Sequence, residues 1–258
     1  MSGVRHVGVQ VVIGGASGIG RAIAEALVAT GDQVVIADRD EDLAAQVAAE
    51  LNATPAQVEV TDEDSVSALF AGVLDTFGTL DGVVNSAGVS TLANIIDHDV
   101  AEYRRVVDVC LTGSMIVLKH GGRAVRDGGS LVTIASLNAR QPGTGLAAYC
   151  SAKAGLVMLS QVAALELGAR GVRVNTISPG LVVTALTQPA MDIPGIREDY
   201  IENTPLGRSG EPREVAAIAR FLLSDESAWI TGENIDINGG AHLKRYPDLV
   251  GLVTKAFS

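Results

Sequence analysis

Two periodicities alternate along this chain. Short β-branched runs such as Gln33-Val-Val-Ile-Ala37 and Asp81-Gly-Val-Val-Asn85 are almost continuous in apolar residues, as strands are when both faces of their sheet are covered. Longer Ala- and Leu-rich segments between them carry apolar residues at helical spacing. The alternation predicts repeated βαβ units around a parallel sheet. Strands are expected near 7–13, 33–38, 56–60, 81–86, 129–135, 172–178 and 233–237, and helices near 18–30, 40–51, 62–76, 99–120, 148–170 and 211–224. The fold class is therefore α/β, a doubly wound parallel sheet of about seven strands with helices on both faces, Rossmann-like. Thr61-Asp-Glu-Asp64 resembles a helix-capping arrangement, and Pro212 suits a first helical turn.

No linker or repeat divides the pattern, so residues 1–258 read as a single domain. Two stretches depart from it. Residues 185–204 mix Pro189, Pro194 and Gly195 with Leu186, Met191, Ile193 and Ile196, which fits a helical lid or an ordinary surface insertion. The tail 241–258, with Leu243, Tyr246, Leu249, Val250, Leu252 and Val253, is apolar enough to cover a neighbour, a cleft or its own subunit.

Composition narrows the class of function. With 47% hydrophobic residues among 258, the chain can bury enough surface to offset its conformational entropy. Two cysteines exclude a disulfide scaffold. A net charge of −11 with no basic cluster repels phosphate-rich surfaces and disfavours nucleic acid. Apolar stretches are interrupted before the ~18–20 residues that cross a bilayer. The segment from Met1 to His6 lacks the pattern of a secretion signal. A cytoplasmic protein is the expectation. His6, His98, His120 and His242 are scattered, and no cysteine or histidine pair has metal-ligand spacing, so no metal is expected.

Chemistry concentrates where strands end. Gly14, Gly18 and Gly20 fall between the first strand and the first helix; such a turn lets the backbone approach a pyrophosphate, whose charge meets the helix N-terminus. Asp38 ends the second strand, where a carboxylate accepts from the adenosine ribose and repels a 2′-phosphate. The cofactor expected is NAD(H), although the adjacent Arg39 leaves NADP open. Tyr149 and Lys153 share a helix face. A free phenol holds its proton until about pH 10, and a nearby ammonium and a pyridinium both favour phenolate. Ser136 closes the strand Leu131-Val-Thr-Ile-Ala-Ser136, at the carboxyl edge where open α/β sheets bind ligands. Its hydroxyl can donate to a carbonyl oxygen gaining negative charge.

Taken in order, Gly14-x-x-x-Gly18-x-Gly20, Asp38, Asn85-Ser-Ala-Gly88, Ser136, Tyr149-x-x-x-Lys153, Asn175, Ser178-Pro-Gly-Leu-Val-Val-Thr184 and Asp236-Ile-Asn-Gly-Gly240 make the chain resemble the short-chain dehydrogenase/reductase family over nearly its whole length. The resemblance implies that Tyr149 is the general acid/base, that Ser136 polarises the reacting oxygen, and that Lys153 binds the nicotinamide ribose and favours the Tyr149 phenolate. It implies cofactor contacts from Gly14, Ser17, Gly18, Ile19, Gly20, Asp38, Asn85, Ala87, Gly88, Tyr149, Lys153, Pro179, Gly180, Val182 and Thr184. It also implies a homo-oligomer, dimer or tetramer, built on the helices near 99–120 and 148–170. Asn175 reads better as structural.

Two positions depart from the family pattern. Ser86 stands where a second asparagine is usual, at little cost. Cys110 stands where the family places an asparagine that positions a relay water, and a thiol cannot copy an amide. Either the relay runs through a backbone carbonyl and water, or it is slowed or shifted in pH, or the chain binds cofactor without turnover. The reading that follows is an NAD(H)-dependent oxidoreductase interconverting a small-molecule secondary alcohol and a ketone. Leu146, Leu186, Met191, Ile193 and Ile196 would favour a hydrophobic or alicyclic substrate, whereas Arg140 could recognise a carboxylate. The alternatives are an NAD-binding module with little turnover and an oxoacyl-thioester reductase.

Overall fold

The computed structural model describes residues 7–257; His6 lies outside them. Seven strands, β1 Val9–Ile13, β2 Gln33–Asp38, β3 Thr54–Gln57, β4 Gly82–Asn85, β5 Ser130–Ile134, β6 Arg173–Pro179 and β7 Asn234–Ile237, form one parallel sheet in the order β3-β2-β1-β4-β5-β6-β7. The order reverses beside β1, which pairs with both β2 and β4. A crevice opens at such a switch point, beyond the carboxyl ends of the strands.

Helices α1 Gly18–Val28, α2 Glu41–Leu51, α3 Glu63–Phe77, α4 Val100–Val107, α5 Gly113–Ala124, α6 Ala147–Leu167 and α9 Pro212–Leu223 complete the crossovers. One apolar cluster joins Val11, Val83, Leu131 and Val174 to Phe70 and Val117; another, across the sheet, joins Val12, Val84 and Ile177 to Ile23, Val47 and Leu222. Strand residues alternate between them, which explains why the strands read as unbroken apolar runs. Asp62 caps α3 by accepting from Asp64 and Ser65 N–H, and Pro212 opens α9 as its sequence predicts.

Two elements differ from expectation, and a third takes a definite form. The third strand lies at Thr54–Gln57 rather than 56–60: it is a sheet edge, where Pro55 removes no needed donor, and the chain turns away at Val58–Val60 toward α3. The helix expected at 99–120 is interrupted by a π segment at Asp108–Thr112, with the Ser114 hydroxyl donating to Cys110 O at 2.9 Å. Gly113 follows the widened turn because an added Cβ would meet Val60 side-chain and carbonyl atoms at 3.0–3.1 Å. The 185–204 stretch forms two short helices, α7 Gln188–Met191 and α8 Ile196–Glu202.

The tail packs on its own subunit: helix α10 Leu249–Phe257 joins Leu146, Met191 and Ile196 in an apolar cluster through Leu249, Leu252 and Val253. By length and composition alone, Ala147–Arg170 could cross a membrane. In this fold one face of it carries the buried Lys153 and packs on β6, α4 and α5, while the other is exposed.

Candidate active site

The glycine-rich turn is held against the end of β2. Gly14 and Gly15 N–H both donate to Ala37 O, at 2.8 and 3.2 Å, and Gly14 takes a left-handed φ of 70°. A Cβ there would lie 3.0 Å from Ser86 C and Ala87 N, so glycine lets the turn nest on the loop after β4. Gly20 packs rather than lines: its Cβ would fall 2.0 Å from Gly14 O. The Asp38 carboxylate accepts from Ala16 N–H at 3.2 Å and Asp40 N–H at 3.3 Å, which aims it back at the turn.

Beyond β4, the Asn85 amide donates to Ser114 Oγ at 3.0 Å and accepts from Ala87 N–H at 3.1 Å. Asn85 is therefore a buried brace for the loop Ser86–Val89 and does not line the cleft. Cys110, fully buried, forms a reciprocal pair with the Val89 peptide: Val89 N–H donates to Sγ at 3.4 Å, and the thiol donates to Val89 O at 3.3 Å. A Cβ on Gly88 would lie 3.7 Å from Lys153 Nζ and 3.8 Å from Cys110 Sγ. A side-chain carbon there would make only ordinary contact with both groups.

Helix α6 carries Tyr149 and Lys153 one turn apart. The ammonium, almost fully buried, donates to Ile134 O at 2.7 Å and sits 5.7 Å from the Tyr149 ring centroid. A buried cation is tolerated only with partners, and here the partner is the end of β5, two residues before Ser136. The Ser136 hydroxyl accepts from Asn138 N–H at 3.1 Å in a tight turn. Ser136, Tyr149 and Lys153 thus converge on one wall. Cys150 faces the apolar cluster of Leu146, Met191, Ile196 and Leu249, where burial pushes its thiol up.

One cleft of about 380 Å³ joins these groups, running from Asp38 past Gly14, Ser17, Gly18, Ile19, Ala87 and Gly88 to Ser136, Tyr149 and Lys153, with Pro179, Gly180, Val182 and Thr184 on the far side. Of the site residues expected from sequence, Gly20 and Asn85 stand behind this surface. Sequence reasoning missed Val58, Glu59 and Val60, which wall the cleft beside Asp38 and Arg39. Their signal was the misplaced end of β3. Thr184 lies over Gly18, within 3.3 Å of where a Cβ would stand, so the segment after β6 meets the glycine turn.

The substrate side needs correction. Leu186 lines the cleft, but Leu146, Met191, Ile193 and Ile196 pack among themselves and against α10, because the tail offers them an apolar partner that sequence could not locate. Arg140 pairs with Asp236 at 3.0 Å and is not a free carboxylate receptor. Asn175 is structural, its amide bonded to Ile230 O and Glu233 N. His98, His120 and His242 bond to Asp99 O, Glu63 and Asn238. Among the described residues no group of metal-ligating side chains converges.

A family model described as Enoyl-(Acyl carrier protein) reductase matches residues 14–242. The chain belongs to the short-chain dehydrogenase/reductase family. Among family members, trans-4-hydroxycyclohexanecarboxylate dehydrogenase of Sinomonas cyclohexanicum is 37% identical over 90% of this chain and 92% of its own. D-threitol dehydrogenase of Mycolicibacterium smegmatis is 38% identical, covering 92% and 93%. A short-chain type dehydrogenase/reductase structure from Mycobacterium ulcerans superposes with a TM-score of 0.93 at 37% identity, covering 97% of this chain and 95% of that one. The protein is accordingly an oxidoreductase acting on CH–OH donors, in a family that works with nicotinamide cofactors. Its cleft fits such a group: a glycine turn that added side chains would fill stands at one end, and a carboxylate closes the adjoining strand.

Proposed function

We propose that this protein is an NAD(H)-dependent dehydrogenase that interconverts a secondary alcohol and a ketone, with Tyr149 as general acid/base. The observation that carries the proposal is the convergence of Ser136, Tyr149 and Lys153 on one continuous cleft that ends at Asp38. Gly14, Ser17, Gly18 and Ile19 would hold the pyrophosphate, Asp38 the adenosine ribose, and Lys153 the second ribose. Pro179, Gly180, Val182 and Thr184 would flank the nicotinamide. When bound, the nicotinamide supplies the hydride acceptor or donor.

The residues of the chain handle the proton and the oxygen. In oxidation, the Tyr149 phenolate oxygen takes the hydroxyl proton of the alcohol; in reduction, the phenol returns it to the carbonyl oxygen. Ser136 Oγ–H donates to that oxygen while it carries negative charge. Lys153, fixed on Ile134 O, places its ammonium 5.7 Å from the centre of the phenol ring. The carboxylate of Asp38 disfavours a 2′-phosphate, which selects NAD over NADP.

The activities for which these relatives are named span a cyclic hydroxy acid and a linear polyol. Both fit an alcohol carbon presented at Leu186 and Ser136. A cytoplasmic homo-oligomer completes the reading, supported by two free cysteines and by Met158, Val162 and Leu165. These are 61, 42 and 84% exposed on one side of α6, an apolar stripe suited to a second copy.

A second reading, cofactor binding without turnover, rests on Cys110. Its reciprocal bond to Val89 holds the loop as a polar side chain would, which favours the enzyme. Oxoacyl-thioester reduction has on its side only the acyl-carrier substrate in the family description, which refers to an enoyl group; the chain's charge of −11 disfavours an acidic acyl carrier. Paired titration with NAD and NADP, followed by a panel of cyclic and linear secondary alcohols, tests the proposal. Tenfold or better preference for NAD with alcohol-dependent reduction supports it. Tight binding with no turnover across the panel sinks it.

A further inference from the structure

We propose that Tyr246, carried by the C-terminal segment, is a positioning residue for Ser136: it holds the Asn138 amide so that the serine proton stays free for the substrate oxygen. The proposal rests on the reading of Ser136 as the group that polarises that oxygen.

The Ser136 hydroxyl already accepts from Asn138 N–H at 3.1 Å, so its own proton must go elsewhere. Within the turn its recorded acceptor is Asn138 Oδ1 at 3.4 Å, long for O–H···O. A substrate oxygen therefore competes with a weak internal partner. A small rotation of the Asn138 side chain would make that partner strong, and the serine would then be engaged before substrate arrives.

Both ends of the amide are held against such a rotation. Asn138 Nδ2 donates to Gln141 O at 3.0 Å, and the Tyr246 hydroxyl donates to Asn138 Oδ1 at 3.1 Å. Tyr246 has a single proton, so its oxygen accepts the bond that joins it to Tyr200 Oη at 2.6 Å. The chain of donation runs Tyr200, Tyr246, Asn138, each bond polarising the next. Burial raises both phenols, Tyr200 to about 12, and both remain donors at neutral pH.

The segment bearing Tyr246 is strapped in place. Lys244 O accepts from Gln141 Nε2 at 2.5 Å, Lys244 Nζ donates to Glu202 O at 2.7 Å, and Arg245 pairs with Asp199 on α8. Gly143 makes room for the ring: a Cβ there would fall 2.6 Å from Tyr246 Cε1. The C-terminal segment thus joins α8 to the Ser136 turn.

The experiment is a double-mutant cycle on kcat in the alcohol-oxidation assay. Tyr246→Phe is expected to lower kcat about five- to tenfold, the worth of one buried hydrogen bond, with the NAD Kd within twofold of wild type. In the Asn138→Ala background the same change should cost less than twofold, because the competing acceptor is gone. The shape of the kcat–pH profile should stay as in the wild type. A crystal structure of Tyr246→Phe should show Ser136 Oγ closer to Asn138 Oδ1 than 3.4 Å. Equal losses in both backgrounds, an unchanged kcat, or an unmoved amide overturns the proposal. If Tyr246→Phe does not fold, Tyr200→Phe in the same two backgrounds gives the same test with a smaller loss. Ser136→Ala separates the layers: full activity there defeats the parent reading, whereas a large loss there with full activity in Tyr246→Phe defeats this proposal alone.

Discussion

The two edges of the sheet use buried polar groups in opposite ways. At the amino edge, Arg173 donates from one guanidinium nitrogen to Leu222 O and Ser227 Oγ, and from another to Ser224 O. Ser130 bonds to Leu222 O, and Asp81 pairs with Arg126 while accepting from Val9 N–H at 2.8 Å. Those groups are saturated by the protein itself. At the carboxyl edge, Lys153 donates to Ile134 O, Ser136 keeps a weakly engaged proton, and Asp38 accepts two backbone N–H groups that leave lone pairs free. Spare hydrogen-bonding capacity at a buried group is costly to stability. At the amino edge Gln10 Oε1 is also left without a partner, so what sets the carboxyl edge apart is that its spare groups, Ser136 and the half-buried Asp38, line one cleft.

The sharpest way to break this contrast is Tyr149→Phe. Loss of the proton-transfer group should reduce kcat by about a thousandfold, while thermal stability and the NAD Kd stay near wild type. A variant with most of its turnover intact would remove Tyr149 from the chemistry and leave the cleft as a binding site.

The opposite edge should respond in the opposite sense. Arg173→Ala removes the guanidinium bonds to Leu222 O, Ser224 O and Ser227 Oγ, although both carbonyls keep hydroxyl donors in Ser130 and Ser227, and should cost about 2 kcal/mol in denaturant unfolding. The folded fraction should keep wild-type kcat, since the strand's far end holds Pro179 and the cleft. If kcat falls in step with stability, the edges are not separable.

These contrasts also explain what sequence made legible. Continuous apolar runs located the strands because burial on both faces is a local property, and the glycine turn, Asp38, Ser136 and the Tyr149–Lys153 pair declared themselves because each belongs to a strand end or a single helical turn. The π segment around Cys110 stayed hidden, since the apolar period continues through it, while the close approach of Val60 to Gly113 just after it comes from another crossover. The substrate side was misjudged for the same reason. Whether Met191 and Ile196 line a pocket or fill a core depends on Leu249 of the tail, and Tyr246 reaches Asn138 across 108 positions.

Asp38→Ala sharpens the comparison at smaller scale. In the proposed cofactor site, removing the carboxylate takes away the ribose acceptor for NAD and the repulsion of NADP. The NAD:NADP preference should fall by about tenfold to a hundredfold, one to two multiples of 1.4 kcal/mol. Ratios of Kd from paired titrations measure it. An unchanged ratio would move selectivity to Arg39 or Glu59, which line the same end of the cleft.

The smallest effect belongs to a charge away from both edges. Glu214, in the first turn of α9, accepts from Arg208 at 2.6 and 2.8 Å and from Glu211 N–H at 2.8 Å, and these bonds, the arginine first, lower its carboxyl from 4.5 to about 2. A carboxyl depressed on folding contributes stability that is present above its unfolded value and lost as pH falls through its folded value. The contribution of Glu214 is therefore constant above about pH 5 and fades between 4.5 and 2. Because the pair is exposed, Glu214→Gln should lower Tm by only about 2 °C or less at neutral pH. That deficit should shrink toward zero on acidification, with kcat and the NAD Kd unchanged throughout. Melting curves of the two proteins from pH 7 to about 2 test it; a deficit that persists undiminished to the acid end would assign the loss to helix capping geometry rather than to the ionised carboxylate.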